Sequence, residues 1–277
     1  MTKRSKSKRS QEVFAGTESE LASMTDDLDA LHNDVGMPAL REGVAAMVDN
    51  VEDQSTPRAT SRRKFLVGAG AAAAGGAMMV IGGAPARAGA ATRTLTPARS
   101  LEAASFPPSG LKGDLAVAAV AASLENLAVF AYNAGLTAAT AGKLGAVPPA
   151  VATFATTVKG QHQQHADAWN AVLRSNGKEA VTITNPKLTP TVQSDFAKVT
   201  DITGLAQLAL TLETIAAQTY QAETSMLKST SAIGLSSSIQ PVEMQHIAIL
   251  YYVLGMYPGS QTAGGTPLAF NPTSMAV

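Results

Sequence analysis

The amino-acid sequence predicts an all-α protein whose main domain is a four-helix bundle. Four long, largely apolar segments follow one another within residues 111–257. Gly, Pro and Asn residues separate these segments at positions where helices commonly begin and end. The chain shows no convincing strand pattern, in which apolar and polar residues would alternate. Helices packed on helices are therefore favoured over a sheet.

The composition narrows the classes of function. The chain has 277 residues, a formal net charge of zero and no cysteine. We expect no nucleic-acid partner, because binding a phosphate backbone requires clustered Lys and Arg residues. Without cysteine there is no disulfide, iron–sulfur cluster or thiolate ligand. Any metal must therefore be held by His, Asp or Glu, and the chain has only four His.

The first sixty residues form a polar leader. Residues 1–64 contain eleven acidic and ten basic residues, whereas residues 89–277 contain ten of each. This charge density predicts a poorly ordered segment over residues 1–60, and His32 within it receives no role. Two interpretations of the leader stay open. It is either a cytosolic appendage that meets a chaperone before export, or the product of a start codon assigned too early, with Met37 or Met47 the true start.

A targeting signal follows over residues 61–88. The motif Ser-Arg-Arg-Lys-Phe-Leu at residues 61–66 matches the twin-arginine pattern, and Ala86-Arg87-Ala88 fits the small-x-small rule for cleavage. The uncharged segment between them is long enough to span a membrane. Its many Gly and Ala residues make it only weakly apolar, which favours a cleaved signal over an anchor. We therefore expect the twin-arginine translocation machinery as a partner, and export to the periplasm, the cell envelope or the exterior.

The remaining elements can be predicted in order along the chain. Several Pro and Gly residues predict an irregular lead-in over residues 89–110. The bundle occupies residues 111–257 and a tail occupies residues 258–277. Short loops join the first helix to the second and the third to the fourth, whereas residues 178–200 form a long crossover with one short helix. The predicted bundle helices span about residues 111–140, 148–176, 201–228 and 237–256.

The two halves of the bundle repeat each other. Glu125 and Glu213 each follow a Leu, and each has a Tyr seven residues later, Tyr132 or Tyr220. These tyrosines could hydrogen-bond metal ligands, relay an electron or simply pack in the core. A His-x-x-His motif in the first half aligns with a Glu-x-x-His motif in the second. Each of the four helices therefore carries either one lone Glu or one of these two motifs. The candidate metal ligands are Glu125, His162, His165, Glu213, Glu243 and His246.

The surroundings of the two lone glutamates indicate that they are buried. Apart from one Tyr each, the residues three, four and seven positions from Glu125 and Glu213 are apolar, and on a helix these positions share one face. An unpaired buried carboxylate costs several kcal/mol, so it must be protonated, paired or bound to a cation. His165 and His246 each lie three residues after another potential ligand. Both side chains of each pair can therefore reach the same metal.

This pattern resembles the ferritin-like family of di-iron and di-manganese carboxylate proteins, in which two helices each give a Glu and two each give Glu-x-x-His. It is similar in particular to the signal-bearing, extracytoplasmic ferritin-like proteins of bacteria. The resemblance implies a ferritin-like bundle of two helical hairpins with two transition-metal ions, iron or manganese, with zinc as a further candidate. It also implies that Glu125 and Glu213 are the lone-helix carboxylates, Glu243 a bridging carboxylate, and His165 and His246 the terminal imidazoles.

The sequence departs from the family pattern at His162, where the family has Glu. Four carboxylates would balance the charge of two divalent ions, whereas this set has three. Three outcomes stay open: a dinuclear site with an extra nitrogen ligand, a site that holds one metal tightly and the other weakly, or a degenerate site. The greater share of nitrogen ligands favours transition metals over magnesium or calcium.

Two functions follow from the resemblance. The first is redox chemistry with dioxygen, peroxide or ferrous ion, either ferroxidase-like or catalase-like. The second is a non-catalytic extracytoplasmic metal-binding or structural bundle with a degenerate site. Nucleophilic catalysis is not expected, because the sequence has no Gly-x-Ser-x-Gly motif and no cysteine. A homo-oligomer is compatible with such a bundle, and nothing in the sequence sets the number of subunits.

Overall fold

The computed structural model describes residues 17–38, 41–42, 44–45, 106–108, 110–256 and 275–277. The predicted signal at residues 61–88 and most of the predicted lead-in and tail lie outside these residues. Within the described ranges the chain forms six α-helices and no strand, which confirms the all-α class.

The helices form two antiparallel hairpins joined by a crossover. Their bounds are α1 Glu18–Leu31, followed by a π-helical turn at His32–Gly36, then α2 Asp114–Thr140, α3 Pro149–Ser175, α4 Thr189–Phe196, α5 Ile202–Thr224 and α6 Thr230–Val253. Helix α2 pairs with α3 and α5 pairs with α6, while α4 lies in the crossover. This order confirms the predicted pair of hairpins.

Helix α2 is the most apolar wall of the bundle. Among the described helices it is the one whose length and composition would allow it to cross a membrane, and 56% of its apolar window is buried inside the protein. Its small side chains let α5 approach closely. A Cβ atom added at Gly135 would lie only 2.9 Å from Leu205 Cδ2. The burial of more than half of its apolar window is typical of a core helix of a bundle.

Helix α6 begins seven residues earlier than the sequence predicted. The Ser-rich stretch before residue 237 resembled a break, but it is helical from Thr230. Ser229 caps the helix, since its side chain accepts a hydrogen bond from the Ala232 N–H. Ser236 is fully buried and its hydroxyl lies 2.7 Å from that of Thr224 on α5. A polar partner in the neighbouring helix therefore offsets the weak helix propensity of serine.

The crossover lies across α2 and α5 and is fastened by two asparagines. Asn126 Nδ2 on α2 donates to the Val181 carbonyl at 2.9 Å. Asn170 on α3 also donates to that carbonyl, at 3.0 Å, and accepts from the Val181 N–H at 2.7 Å. Leu188, at the start of α4, packs on the cluster around Leu127. These contacts cover the α2/α5 face of the bundle.

The N-terminal helix differs from the poorly ordered leader that the charge density suggested. Helix α1 packs mainly on α3 and also contacts α6. Leu21 and Leu28 are buried one above the other, while the charged residues point outwards. The ends are also fastened, because Thr17 and Glu20 form a capping box and Tyr252 on α6 donates to Glu20 at 2.5 Å. A segment with the high charge density of a disordered chain can therefore form an amphipathic helix that packs on the bundle.

The last three residues return to the bundle. The Met275 N–H donates to Gln218 Oε1 at 2.8 Å, and the Val277 N–H donates to Thr219 Oγ1 at 3.2 Å. The chain end therefore lies on the surface of α5.

Candidate metal centre

The six predicted ligands come together in the middle of the bundle. Helix α2 supplies one of them, α3 two, α5 one and α6 two. None of the six side chains is more than 2% exposed. The helical stripes that the sequence indicated therefore converge on one buried site, and its members are Glu125, His162, His165, Glu213, Glu243 and His246.

The ligand atoms form two overlapping groups that repeat the internal symmetry of the sequence. In one group, His165 Nδ1 lies 3.1 Å from Glu243 Oε1 and 3.6 Å from Glu125 Oε2. In the other, His246 Nδ1 lies 3.1 Å from Glu213 Oε2 and 3.6 Å from Glu243 Oε2. Within each group the ligand atoms all lie within 4.8 Å of one another. Each group can hold a metal ion, and Glu243 belongs to both.

Glu243 is the strongest evidence that the site suits a cation. Its side chain is fully buried, and neither carboxylate oxygen has a hydrogen-bond partner among the described residues. The two ring nitrogens of His165 also lack one, although Nδ1 lies 3.1 Å from Glu243. Buried polar atoms without partners are costly, and cations commonly satisfy them. The donor set of carboxylates and imidazoles is one that transition metals accept.

His162 lies between the two lone carboxylates. Its Nδ1 is 2.7 Å from Glu125 Oε2, and its Nε2 is 3.1 Å from Glu213 Oε1. The imidazole therefore belongs to both ligand groups, with one nitrogen facing each half. The residue that departs from the family pattern occupies the centre of the site rather than its edge.

The two tyrosines of the internal repeat hold the lone carboxylates crosswise. Tyr132 on α2 donates its hydroxyl proton to Glu213 Oε1 on α5 at 2.5 Å. Tyr220 on α5 donates to Glu125 Oε1 on α2. Trp169 Nε1 in turn donates to the Tyr220 hydroxyl at 2.9 Å. Of the roles left open by the sequence, the structure confirms hydrogen bonding to the candidate ligands.

Gln161 also belongs to the site, although it was not predicted from the sequence. This side chain is 2% exposed, and its Oε1 lies 2.8 Å from His246 Nε2, the nitrogen that faces away from the carboxylates. Metal-ligating histidines commonly use their second nitrogen in this way, which fixes the orientation of the ring. A signal was available, because Gln161 lies four residues before His165 and so shares its helix face.

The charges of the site depend strongly on one another. Burial alone raises the pKa of Glu125, but the charge of His165 and the hydrogen bond from His162 outweigh it and lower that pKa to about 2. Burial lowers the pKa of His165, whereas the neighbouring carboxylates of Glu125 and Glu243 raise it to about 9. Glu213 and Glu243 raise the pKa of His162 well above its usual value despite burial. Without a metal, three imidazolium and three carboxylate groups would cancel in charge.

A small cavity adjoins the centre on the α2/α5 face. Its volume is about 20 Å³, and Glu125, His162 and Glu213 form its polar wall. Leu188 and Leu212 contribute to its apolar side. A space of this size holds about one water molecule. A diatomic or triatomic molecule can therefore lie directly against the candidate ligands.

The fold and the site together define a class of protein. It is an all-α bundle whose four long helices bring three carboxylates and three imidazoles to a buried site suited to metal. A family model described as "Ferritin-like domain" matches residues 113–256, which includes all six candidate ligands. The chain therefore belongs to the ferritin-like domain family. No curated protein and no solved structure gives a significant match to the chain.

Proposed function

We propose that the six buried residues hold two transition-metal ions, iron or manganese, for redox chemistry with dioxygen, peroxide or ferrous ion. The observation that carries this proposal is Glu243, whose two oxygens are buried without hydrogen-bond partners and lie 3.1 Å from His165 and 3.6 Å from His246. A carboxylate placed in this way between two ligand groups has the position of a bridge.

The other residues take roles that follow from their contacts. Glu125 and His165 would hold one ion, and Glu213 and His246 the other. His162 has a nitrogen within reach of both groups. Bound there, a pair of such metals supplies reversible electron transfer to a small oxidant.

The protein residues around the ligands orient them and exclude water. The hydroxyls of Tyr132 and Tyr220 fix one oxygen of each lone carboxylate, which leaves the other oxygen for a cation. Gln161 fixes His246 in the same way. The cavity of about 20 Å³ beside Glu125 and Glu213 admits a molecule the size of water or dioxygen.

A second candidate function is a non-catalytic extracytoplasmic bundle, and His162 is the observation that favours it. A protonated His162 between Glu125 and Glu213 would take the place of a cation, because each of its nitrogens faces one carboxylate. The buried cluster would then be a charge-balanced network that stabilises the bundle without metal.

Metal analysis of the full chain, purified without chelators, tests these functions. We expect close to two equivalents of iron or manganese per chain, and oxygen uptake on addition of ferrous ion. The double variant Glu125→Gln, Glu213→Gln keeps the shape of both side chains and is expected to lose both properties. One equivalent of metal would indicate that His162 divides the site. A folded protein that takes up no metal would contradict the redox function and favour the charge-balanced cluster.

We also propose that the chain is exported by the twin-arginine machinery. The proposal rests on the motif at residues 61–66 and the cleavage pattern that ends at Ala88. We expect a mature N-terminus at Gly89 in the periplasmic, envelope or extracellular fraction, and cytoplasmic retention of the Arg62→Lys, Arg63→Lys variant. Arg58→Lys, which lies outside the motif, is the matched control. Unprocessed wild-type protein found in the cytoplasm alone would contradict the proposal.

A further inference from the structure

The two terminal histidines of the centre have different surroundings. The outward nitrogen of His246 is bonded to Gln161 at 2.8 Å. His165 holds the equivalent position in the other half, but neither of its nitrogens has a hydrogen-bond partner among the described residues. Because ligand histidines are normally fixed through their second nitrogen, the surroundings of His165 need a further side chain.

His32 is the side chain that lies there. Its ring packs edge-on against that of His165, with 5.3 Å between the ring centroids and 62° between the ring planes. Its Nε2 lies 2.6 Å from Gln164 Oε1 on α3, and the residue is 2% exposed. Its other nitrogen, Nδ1, is buried without a hydrogen-bond partner among the described residues.

The local backbone turns His32 towards the bundle. The last turn of α1 widens into a π-helical turn at His32–Gly36. Such turns are rare in proteins, and those that occur are often found at functional sites. Leu31, which precedes this turn, and Val35, which lies on it, are 46% and 59% exposed, so the buried polar side chain lies between exposed apolar ones. Leu21 and Leu28 fasten the rest of α1 in the core cluster that includes Phe154 and Leu250.

We propose that His32 is a positioning residue of the metal centre, and that α1 closes the centre on its α3/α6 side. This inference rests on the proposed metal site. His32 fixes the ring of His165 by its edge contact, and the bond from Nε2 to Gln164 Oε1 holds the His32 ring in that position. The crossover covers the opposite face of the bundle, so α1 supplies the second cover. Because residues 17–38 precede the proposed signal, this role belongs to the uncleaved chain.

The first test measures the release of bound Co²⁺ from the full chain to a chelator. We expect His32→Phe, which keeps a planar ring but no nitrogen, to release Co²⁺ about tenfold faster than wild type, since loss of an outer partner of a ligand typically costs 10- to 100-fold in affinity. The visible spectrum of bound Co²⁺ should shift as well. His32→Gln should restore part of the slow release, and Asn33→Ala, at an exposed neighbouring position, should match wild type. Equal rates and spectra for His32→Phe and wild type would overturn the positioning role.

The second test needs no metal. In the chelator-treated full chain we expect His165 to react with diethyl pyrocarbonate at least tenfold faster in the Leu21→Asp, Leu28→Asp variant, because α1 would leave the bundle. The control Ser23→Asp, Ala30→Asp adds the same charge to the exposed face of α1 and should keep His165 protected. Equal protection of His165 in both variants would overturn the cover. A wild-type chain that binds no Co²⁺ would overturn the proposed metal site and the positioning role, while this reactivity still decides whether α1 closes the centre.

Discussion

His162 has two carboxylate neighbours, Glu125 at 2.7 Å and Glu213 at 3.1 Å, and a third, Glu243, at 3.8 Å. A cation held by these carboxylates must compete with the proton on this imidazole. Metal binding at the proposed site is therefore expected to respond to a substitution of His162.

We expect His162→Glu to raise metal occupancy and to lower stability without metal. The fourth carboxylate brings the ligand charge to −4, which balances two divalent ions, but it removes a counter-charge from a fully buried cluster. Elemental analysis should show a second ion bound more tightly, and thermal unfolding of the chelator-treated variant should occur at a lower temperature than for wild type. Gln207→Glu makes a similar charge change at an exposed position and should alter neither property. Unchanged metal content would contradict the role given to His162.

We expect Tyr132→Phe and Tyr220→Phe to destabilise the metal-free protein, and Tyr220→Phe to do so more, because it also leaves Trp169 Nε1 without its acceptor. Each variant loses a buried hydrogen bond to a charged group, which is worth about 1.5–3 kcal/mol. Urea unfolding of the chelator-treated proteins measures the difference. Tyr251→Phe is the control, since its hydroxyl makes no hydrogen bond to the described residues. If the free energy of unfolding falls no more in these variants than in Tyr251→Phe, the hydroxyls do not hold the carboxylates in solution.

The six candidate ligands could be predicted from the sequence because the spacings that indicate them are local to each helix. Spacings of three and four residues put potential ligands on one face, and the apolar neighbours of Glu125 and Glu213 predicted their burial. The partners of the ligands were harder to find. Gln161 and His32 act across helices, and His32 lies more than a hundred residues before the Gln164 that it contacts. Only the packing of the elements brings such pairs together.

At the scale of elements, the spacing between α2 and α5 is set by small residues. Gly135 lies on α2 where the Leu205 side chain of α5 leaves no room for a Cβ atom, whereas Gly160 on α3 has nothing within 4 Å of the position where its Cβ atom would be. The same residue type therefore has a packing role in one helix and none in the other.

The two glycines give a matched pair of substitutions. Gly160→Ala should stabilise the protein by about 0.5–1 kcal/mol, because alanine is the better helix former. Gly135→Ala has the same gain in propensity, but its Cβ would lie 2.9 Å from Leu205 Cδ2, so overpacking should cancel or reverse it. Chemical denaturation of both variants measures the contrast. Equal stabilisation would mean that α2 and α5 are not in close contact.

Element boundaries show where sequence patterns were sufficient. Helices α2 and α3 were predicted within a few residues, because Gly and Pro residues mark their ends. The start of α6 was missed, since its Ser-rich first turns are stabilised by Ser229 as a cap and by Thr224 in the neighbouring helix. Helix α1 was missed because its charges outnumber the few apolar residues that dock it. The cap is local to its helix, whereas the contact with Thr224 and the docking of α1 are tertiary contacts that a local window of sequence does not show.

At the scale of the whole molecule, the two ends of the bundle differ. At one end, Trp169 and Leu173 fill a close-packed core without exposure. At the other, Ala131, Ala155 and Ala209 are among the small side chains around an almost wholly apolar cavity of about 60 Å³. Tyr132 lines this cavity and donates to Glu213. The centre therefore lies between a rigid end and an end with unfilled space.

The pH dependence of stability follows from the whole cluster. His165 has a folded-state pKa of about 9 against 6.5, so its contribution is complete below pH 6.5 and lost as pH rises through 9. Glu125 has a pKa of about 2 against 4.5, so its contribution is complete above pH 4.5 and lost as pH falls through 2. We expect the chelator-treated protein to unfold at its highest temperature between about pH 4.5 and 6.5.

The metal-loaded protein should behave differently on the alkaline side. Ligand histidines must be neutral, so metal binding releases protons and strengthens as pH rises. Thermal unfolding from pH 5 to 9 should therefore show falling stability without metal and steady or rising stability with it. Parallel profiles would indicate that the added metal does not bind at the histidines.

Proteolytic processing would change the molecule as a whole. Cleavage after Ala88 would remove α1 together with His32, and the α3/α6 face would lose its cover. N-terminal sequencing of the uncleaved chain decides between a start at Met1 and a start at Met37 or Met47.

The crosswise tyrosine–glutamate bonds carry a consequence for the origin of the domain. Each hairpin contains one lone Glu and one pair of neighbouring ligands, but the hydroxyl that holds its Glu belongs to the other hairpin. An ancestral gene that encoded a single hairpin would therefore have needed two copies of its product to assemble one centre. Duplication and fusion of that gene would have joined the two hairpins in a single chain, so that one molecule could form the centre alone. After such a fusion each half could change independently, and the two halves of this chain now differ at His162 and Glu243.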